Sequence, residues 1–386
     1  LENLRVERAD GPGVLFFSGG TALAGLASEL VRYTSNSMHI ITTFDSGGSS
    51  AKLRTAFKMP AVGDIRNRLL SLSDNSSDKC DAVIRLFKYR LAHNGSQEEL
   101  KIELESLASE QHPLMLDINQ GVRRVVARQF LYFLNLMPDS FDLRGACLGN
   151  LALASGYLVH KRILAPSIAQ FARYSCSRGM VRACSFEYGH LAVRLKNGEV
   201  IAGQHLFSGK ENIPVKSPID GMWICAEVND PWPKVVYASS IAMMLIMEAD
   251  LIVYPMGSFY SSLLASLLPK DIGHSISSNP APKIFIPNMG YDPELKGHSV
   301  ALQVERLLEV LRADNPSGIS VDSVLDAVLV DTENGCYENG LELEKIEARG
   351  IKIIDKRLVE SECSELVDPV LLAEILLDFT RNGLPD

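Results

Sequence analysis

The run Val14-Leu15-Phe16-Phe17-Ser18-Gly19-Gly20-Thr21 and the run Met38-His39-Ile40-Ile41-Thr42-Thr43-Phe44-Asp45-Ser46-Gly47-Gly48-Ser49-Ser50 decide the fold. Each is a short apolar segment that opens onto a polar, glycine-marked loop. Short apolar runs bounded by turn residues read as buried strands. Between them Leu23, Leu26, Leu30 and Val31 are spaced for one face of a helix. A third polar signal, Gly63-Asp64-Ile65-Arg66-Asn67, follows soon after. Strand, glycine loop, helix, strand and acidic loop is the layout of a nucleotide-binding βαβ unit.

A helix starting just after Gly20 would present unpaired N–H groups at its first turn, where the helix dipole favours an anion. Gly19 and Gly20 would let the backbone approach that anion without a Cβ in the way. The Ser18 and Thr21 hydroxyls can add hydrogen bonds or cap the helix. Taken alone, this loop reads equally well as a tight strand-to-helix turn. The loop from Asp45 to Ser50 at the tip of the next strand tips the reading toward a ligand site, because parallel sheets bind at the carboxyl ends of their strands. On this reading a valine at Gly20 abolishes binding and leaves the fold largely intact.

The chain has 386 residues, 46% hydrophobic and 22% charged, which is ordinary globular composition. Its net charge of −9, with no block of Lys and Arg, argues against nonspecific nucleic-acid binding. No apolar run reaches the length of a membrane span. Residues Leu1 to Gly13 do not read as a signal peptide, so a cytoplasmic protein is expected. The seven cysteines are scattered and form no C-x-x-C, which predicts reduced thiols that fill the core.

Along the chain, helices are expected after Asp64, around Val83 to Leu91, and from Leu148 to Leu164. Residues 92–141 read as a helical insertion rather than part of the sheet. Asn197-Gly198, between His190–Leu195 and Val200–Leu206, is a strong β-hairpin signal. Further strands are expected at Leu251–Tyr254, Lys283–Pro287, Ala327–Val330 and Ile351–Ile354, alternating with a helix that follows Pro255–Tyr260 and runs through Leu268 and with helices at 300–311 and 369–379. This alternation predicts an α/β fold with a mostly parallel sheet in a single domain spanning residues 1–386.

Ser18-Gly19-Gly20-Thr21, Asp45-Ser46-Gly47-Gly48-Ser49-Ser50-Ala51-Lys52-Leu53-Arg54 and Pro60-Ala61-Val62-Gly63-Asp64-Ile65-Arg66-Asn67 resemble the 2-phospho-L-lactate transferase (CofD-like) superfamily. Leu86-Phe87-Lys88-Tyr89-Arg90, Gly149-Asn150-Leu151, Gly257-Ser258-Phe259-Tyr260-Ser261-Ser262 and Pro287-Asn288 match in the same order, so the resemblance covers roughly residues 14–312. It implies a Rossmann-like three-layer αβα sandwich. One branch moves a phospholactyl group from a guanosine diphosphate-linked lactate to a deazaflavin alcohol, using a divalent metal such as Mg²⁺. The gluconeogenesis-factor branch is associated with nucleotide sugars such as UDP-N-acetylglucosamine and with regulation. The Asp45–Ser50 loop looks more like the second branch. The chain departs from that branch at Ala146, where His is usual, and in its longer helical segment.

The candidate catalytic residues are Asp45 and Asp64. A carboxylate at a strand tip beside a phosphate loop is useful if it holds Mg²⁺ or accepts a proton from an alcohol. Asp45 is the candidate metal ligand, and the resemblance places the acceptor alcohol against it; its alternative is a helix cap through Ser49 and Ser50. Asp64 and Asn67 share one helix face, and Asp64 equally suits an N-cap. Candidate ligand contacts are Gly19, Gly20, Thr21, Ser46, Gly47, Gly48, Ser49, Asn67, Asn150, Gly257, Ser258, Tyr260 and Asn288. Gly257-Ser258 reads as a second anion nest, where the resemblance places the nucleotide. Tyr260 can stack on a ligand or pack in the core. Asn150 and Asn288 can face a base or cap a loop. His190 and His205 read as structural. A nucleotide diphosphate or nucleotide sugar is the expected partner, neutralised by dipoles, Mg²⁺ and the nearby Lys52, Arg54 and Arg66, and the reading leaves room for a homodimer. NAD is not expected: Asp45 falls about twenty residues past Gly25, where a ribose-binding acid belongs, but the glycines lack the G-x-G-x-x-G spacing.

Overall fold

A computed structural model of the chain describes residues 11–74, 80–209, 212, 214–360 and 364–385. Its strands are β1 (Val14–Ser18), β2 (Ser37–Ile41), β3 (Met180–Ala183), β4 (His190–Leu195), β5 (Val200–Ala202), β6 (Ile219–Glu227), β7 (Asp230–Pro233), β8 (Leu251–Tyr254), β9 (Lys283–Phe285), β10 (Ala327–Val330) and β11 (Lys352–Asp355). Seven form a parallel sheet in the order β11-β10-β9-β8-β1-β2-β3. The register runs from Val14 opposite Ser37 to Ser18 opposite Ile41 on one side of β1. On the other side Val14 lies opposite Leu251. The expected α/β class and mostly parallel sheet are therefore present.

Side chains alternate across the sheet as the period of two requires. Leu15, Phe17, Ile40, Ile252, Tyr254 and Phe285 enter one core, which the helices Ser240–Glu248, Ile272–Ser278 and Val300–Leu311 cover. Val14, Phe16, Leu251, Val253 and Ile284 enter the opposite core. That core is closed by α1 (Ala24–Leu30), through Leu26 and Leu30, and by the helix Pro369–Asn382, through Leu372 and Leu376. The inner strands β1, β8 and β10 are thus covered on both faces, which explains their continuous apolar runs.

Among the described residues, eight further helices follow β2 and precede β3: α2 (Gly48–Phe57), α3 (Gly63–Ser71), α4 (Asp81–Lys88), α5 (Gln97–Ala108), α6 (Pro113–Leu116), α7 (Gln120–Leu136), α8 (Leu148–Val159) and α9 (Ala165–Tyr174). They share one apolar core with Ile41, Val181 and Ala183. A reciprocal capping box starts α5: the Glu99 N–H donates to the Ser96 hydroxyl and the Ser96 N–H to the Glu99 carboxylate. Among the described residues no helix is long and apolar enough to cross a membrane.

The expected hairpin is present within a larger sheet, and one expectation needs correction. The hairpin at Asn197-Gly198 forms as β4–β5, but it belongs to a four-stranded antiparallel sheet in the order β5-β4-β6-β7. Pro231 and Pro233 disguise β7 in the sequence; it is an edge strand, where a missing N–H costs little. The cysteines are not all free thiols. Cys80 and Cys176 are joined in a disulfide, with their Cα atoms 6.0 Å apart. The antiparallel bridge of Ser73 with Ser177, and the hydrogen bond from the Asp74 N–H to the Cys176 carbonyl, bring these segments together across 96 residues of sequence. Cys147, Cys184 and Cys225 are free and buried, as expected of core fillers.

Candidate ligand-binding site

From β1 the strand order runs through β2 to β3 on one side and through β8 to β9 on the other. The crevice between the loops after β1 and β8 is thus a topological switch point, where open α/β sheets bind their ligands. A cavity of about 410 Å³ occupies it. Ser18–Ala22 line it after β1, Asp45 and Gly47 after β2, Asp64 from α3, and Pro255–Ser258 after β8; Gln204 and His205 reach it from the short helix Gln204–Phe207 that follows β5.

The β1 loop is held by packing. A Cβ on Gly20 would lie 2.8 Å from the Asp64 Cα and 2.9 Å from the Asn67 Cβ. A Cβ on Gly19 would lie 2.5 Å from the Ser262 hydroxyl. The expectation that a side chain at Gly20 spares the fold is therefore wrong, because it meets the backbone of α3. The helix also does not start directly after Gly20. The Ala24 N–H closes a turn onto the Thr21 carbonyl at 3.0 Å, and Leu23, the residue before α1, drops into the core. Gly19–Ala22 is thus a wall of loop backbone rather than a helix terminus.

The cation behind this loop is Arg68, which is fully buried. Its Nη2 donates to the Gly19 carbonyl at 2.8 Å and to the Ser18 hydroxyl at 3.3 Å. Burial pulls its pKa down to about 10, and the nearby Asp64 opposes that shift, so it stays charged at neutral pH. Its Nε and Nη1 have no hydrogen-bond partner among the described residues. The cations expected from sequence serve elsewhere. Arg54 is buried and donates to the carbonyls of Phe44, Asp45 and Gly189. Arg66 donates to the Cys147 sulfur and the Asn67 side chain. Lys52 pairs with Asp142 at 2.7 Å.

Asp45 lines the cavity and also caps its own turn, with Oδ1 accepting from the Gly47 N–H at 3.1 Å. Ser46 is turned to the helix Gln204–Phe207: its hydroxyl lies 2.9 Å from the His205 Nδ1, and the His205 N–H donates to it at 3.2 Å. His205, read as structural from sequence, is therefore a cavity residue that also clamps the β2 loop. Gly48 has φ +53° and faces open space. Ser49 points to Asn150, whose Nδ2 donates to it at 2.9 Å. Asn67 lies behind Gly20, so neither Asn67 nor Asn150 is brought to this cavity.

The expected anion nest after Gly257-Ser258 is already filled from within the chain. The N–H groups of Tyr260 and Ser261 donate to the buried Glu294 carboxylate at 2.9 and 2.8 Å, and the Phe259 N–H donates to Asp292 at 3.1 Å. An external phosphate would have to displace two carboxylates there. Tyr260 is buried, with its hydroxyl 2.8 Å from the His298 Nε2, so it packs rather than stacks on a ligand. Asn288 exchanges two hydrogen bonds with Gly257 at 2.7 and 2.6 Å and lines a second cavity of about 490 Å³. That cavity shares Ala22 and Met256 with the first.

Among the described residues no cluster of three or more His, Cys, Asp or Glu could hold a metal by itself. Asp45 and Asp64 bring two carboxylates to one cavity. That donor set suits Mg²⁺, which takes one or two carboxylates beside phosphate oxygens and water. Sequence reading missed Arg68, Gln204, His205 and Ser262. Arg68 carries a local signal, since it lies four residues after Asp64 on one helix.

Over 391 aligned residues the chain is 26% identical to the gluconeogenesis factor of Bacillus subtilis, covering 96% of this chain and 99% of that protein. It is also 26% identical to a putative gluconeogenesis factor of Thermoanaerobacterium thermosulfurigenes, covering 95% and 97% of the two chains. A crystal structure of a UPF0052 family member from Bacillus halodurans superposes with a TM-score of 0.70 at 21% identity, covering 95% of this chain and 99% of that one, which establishes a shared fold. Residues 14–367 match the family described as 2-phospho-L-lactate transferase CofD, and the chain belongs to that family.

Proposed function

We propose that this protein binds a nucleoside-diphosphate-linked ligand in the crevice between β1 and β8 and transfers its terminal phosphorus-containing group to an alcohol. The observation that carries this reading is the meeting of a glycine loop backed by the buried Arg68 with two carboxylates, Asp45 and Asp64, across one cavity. The diphosphate lies along Gly19–Ala22, where Arg68 supplies positive charge through the loop. The nucleoside extends past Ala22 and Met256 into the second cavity, between the apolar Leu26, Met289 and Pro369. Asp45 accepts the alcohol proton as its oxygen attacks the outer phosphorus. The bridging P–O bond breaks, and the nucleoside monophosphate leaves with that oxygen. Asp45 and Asp64 are the residues that would hold Mg²⁺, which would supply charge neutralisation at the phosphates. Positioning and charge stabilisation carry most of the catalysis.

The relatives are named gluconeogenesis factors; the second reading is that the same site senses a nucleotide sugar and regulates metabolism without turnover. Incubation with a guanosine diphosphate-linked lactate, a deazaflavin alcohol and Mg²⁺ separates the two. Release of GMP supports transfer. Tight binding of UDP-N-acetylglucosamine with no GMP release supports the sensor.

A further inference from the structure

The Cys80–Cys176 disulfide joins the start of α4 to the end of α9. The residues around Cys176 also grip the end of α3. The Asp74 N–H donates to the Cys176 carbonyl at 3.1 Å, and the Arg178 N–H donates to the Leu72 carbonyl at 2.8 Å. The Ser177 hydroxyl donates to the Leu69 carbonyl at 2.7 Å, and Arg178 pairs with Asp74 at 2.5 Å. This is the helix that carries Asp64 and Arg68 to the β1 loop. Whatever loosens its far end acts on both.

α9 ends in a turn that calls for glycine. The Ser177 N–H donates to the Ala172 carbonyl at 2.9 Å, the closing bond of a helix end with one left-handed residue, and Cys176 is that residue, with φ +51°. Glycine is the usual occupant because a Cβ is disfavoured there. Here the side chain is tied instead by its sulfur. Cys176 is also the half-exposed partner, whereas Cys80 is 6% exposed, so a thiolate from solution approaches at Cys176. Disulfides in exposed, strained segments are the reducible ones. α4 keeps its place without the bond. Its Val83, Leu86 and Phe87 are buried, and Phe87 stacks on Phe171 of α9 with ring centroids 4.1 Å apart.

We propose that Cys80 and Cys176 form a redox switch that sets how firmly α3 is held. The reductant is a dithiol. Its thiolate attacks the Cys176 sulfur, and Cys80 leaves as a thiolate and is protonated. The second thiolate of the dithiol then attacks the sulfur that the first contributed, and Cys176 leaves and is protonated in turn. The protein gains two electrons and two protons, and the dithiol becomes a disulfide. In the reduced chain Cys176 relaxes out of the left-handed turn. Its carbonyl swings off the Asp74 N–H, and the end of α3 loosens. Weaker ligand binding follows, a consequence that rests on the ligand reading above; the loosening of α3 does not.

The test compares the full chain after oxidation by glutathione disulfide and after reduction by millimolar dithiothreitol, both without denaturant. Alkylation and mass spectrometry should find Cys80 and Cys176 bonded in the first and free in the second. Amide exchange at Asp74 and Arg178 should rise about tenfold on reduction, while that of β1 stays unchanged. Cys80→Ser should exchange like the reduced chain under both treatments. Cys176→Gly keeps the turn without the thiol, so it should exchange slowly under both. UDP affinity of the wild type should fall about threefold on reduction. Failure of the bond to form, its survival in the native chain under dithiothreitol, or equal exchange in the two states would each overturn the switch. Cys176→Gly exchanging as fast as Cys80→Ser would overturn the part given to the turn. UDP bound equally in both states, with α3 loosened, would overturn the link to the ligand. If α3 loosens and UDP binds in neither state, the switch stands and the nucleotide reading fails.

Discussion

The Nη2 of Arg68 donates to the Gly19 carbonyl over 2.8 Å from a side chain that solvent does not reach. A buried guanidinium directly behind a glycine loop puts a fixed positive charge within range of any anion on the far side. At about 6 Å and an effective dielectric near 20, one unit charge is worth about 2–3 kcal/mol. Arg68→Leu should therefore weaken UDP or GDP binding by one to two orders of magnitude, and Arg68→Lys by much less. Calorimetric titration reads both. Equal losses in the two variants would mean that Arg68 acts by shaping the loop and not by its charge.

Gly20 is fixed by contact with α3. Gly20→Ala should cost about 1–3 kcal/mol, because a Cβ 2.8 Å from the Asp64 Cα forces backbone to move. Thermal melting measures this without any ligand. An unchanged melting temperature would mean that the loop and α3 separate more easily than their packing implies.

Asp45→Asn offers a clean separation of two roles. The asparagine Oδ1 can still accept from the Gly47 N–H, so the turn should survive. The charge that would hold metal or take a proton is lost. Transfer should fall by orders of magnitude while nucleotide affinity changes little. Wild-type turnover would leave Asp45 as a turn cap only.

His39 is buried against Phe16, and burial, with Arg68 adding to it, holds its pKa well below the ordinary 6.5. Burial also lowers His298, and it brings His190 down to about 4. In each case the unfolded chain takes up a proton at a pH where the folded chain stays neutral. The stability contributed is complete above pH 6.5 and is lost as pH falls toward the folded values. The urea midpoint should drop between about pH 7 and 5, and His39→Gln should flatten that dependence. A midpoint that rises on acidification would contradict this.

The strands beside the ligand loops were legible because both faces of the central sheet are covered, which leaves short apolar runs such as Val14–Phe17 and Leu251–Tyr254. Asn197-Gly198 marked the hairpin because few other residue pairs suit so tight a turn. Long-range contacts were hidden. Arg54, Arg66 and Arg68 are near one another in sequence, yet only the fold decides which one lies under the loop. Glu294 fills the first turn after Ser258 from more than thirty residues away, so a loop that reads as an anion nest turns out to be satisfied from inside. β3, with Arg182 inside a four-residue edge strand, has too little pattern to be read.

The central claim is that a nucleoside diphosphate occupies the crevice between β1 and β8. A melting panel of GDP, UDP, UDP-N-acetylglucosamine, ATP and NAD, each with and without Mg²⁺, tests it most directly. A ligand at about a hundred times its dissociation constant adds roughly 2.7 kcal/mol, a rise of a few degrees. The account predicts that a diphosphate ligand gives the largest shift, that Mg²⁺ enlarges it, and that Arg68→Leu removes most of it. A largest shift from NAD, or silence from every nucleotide, would contradict the account.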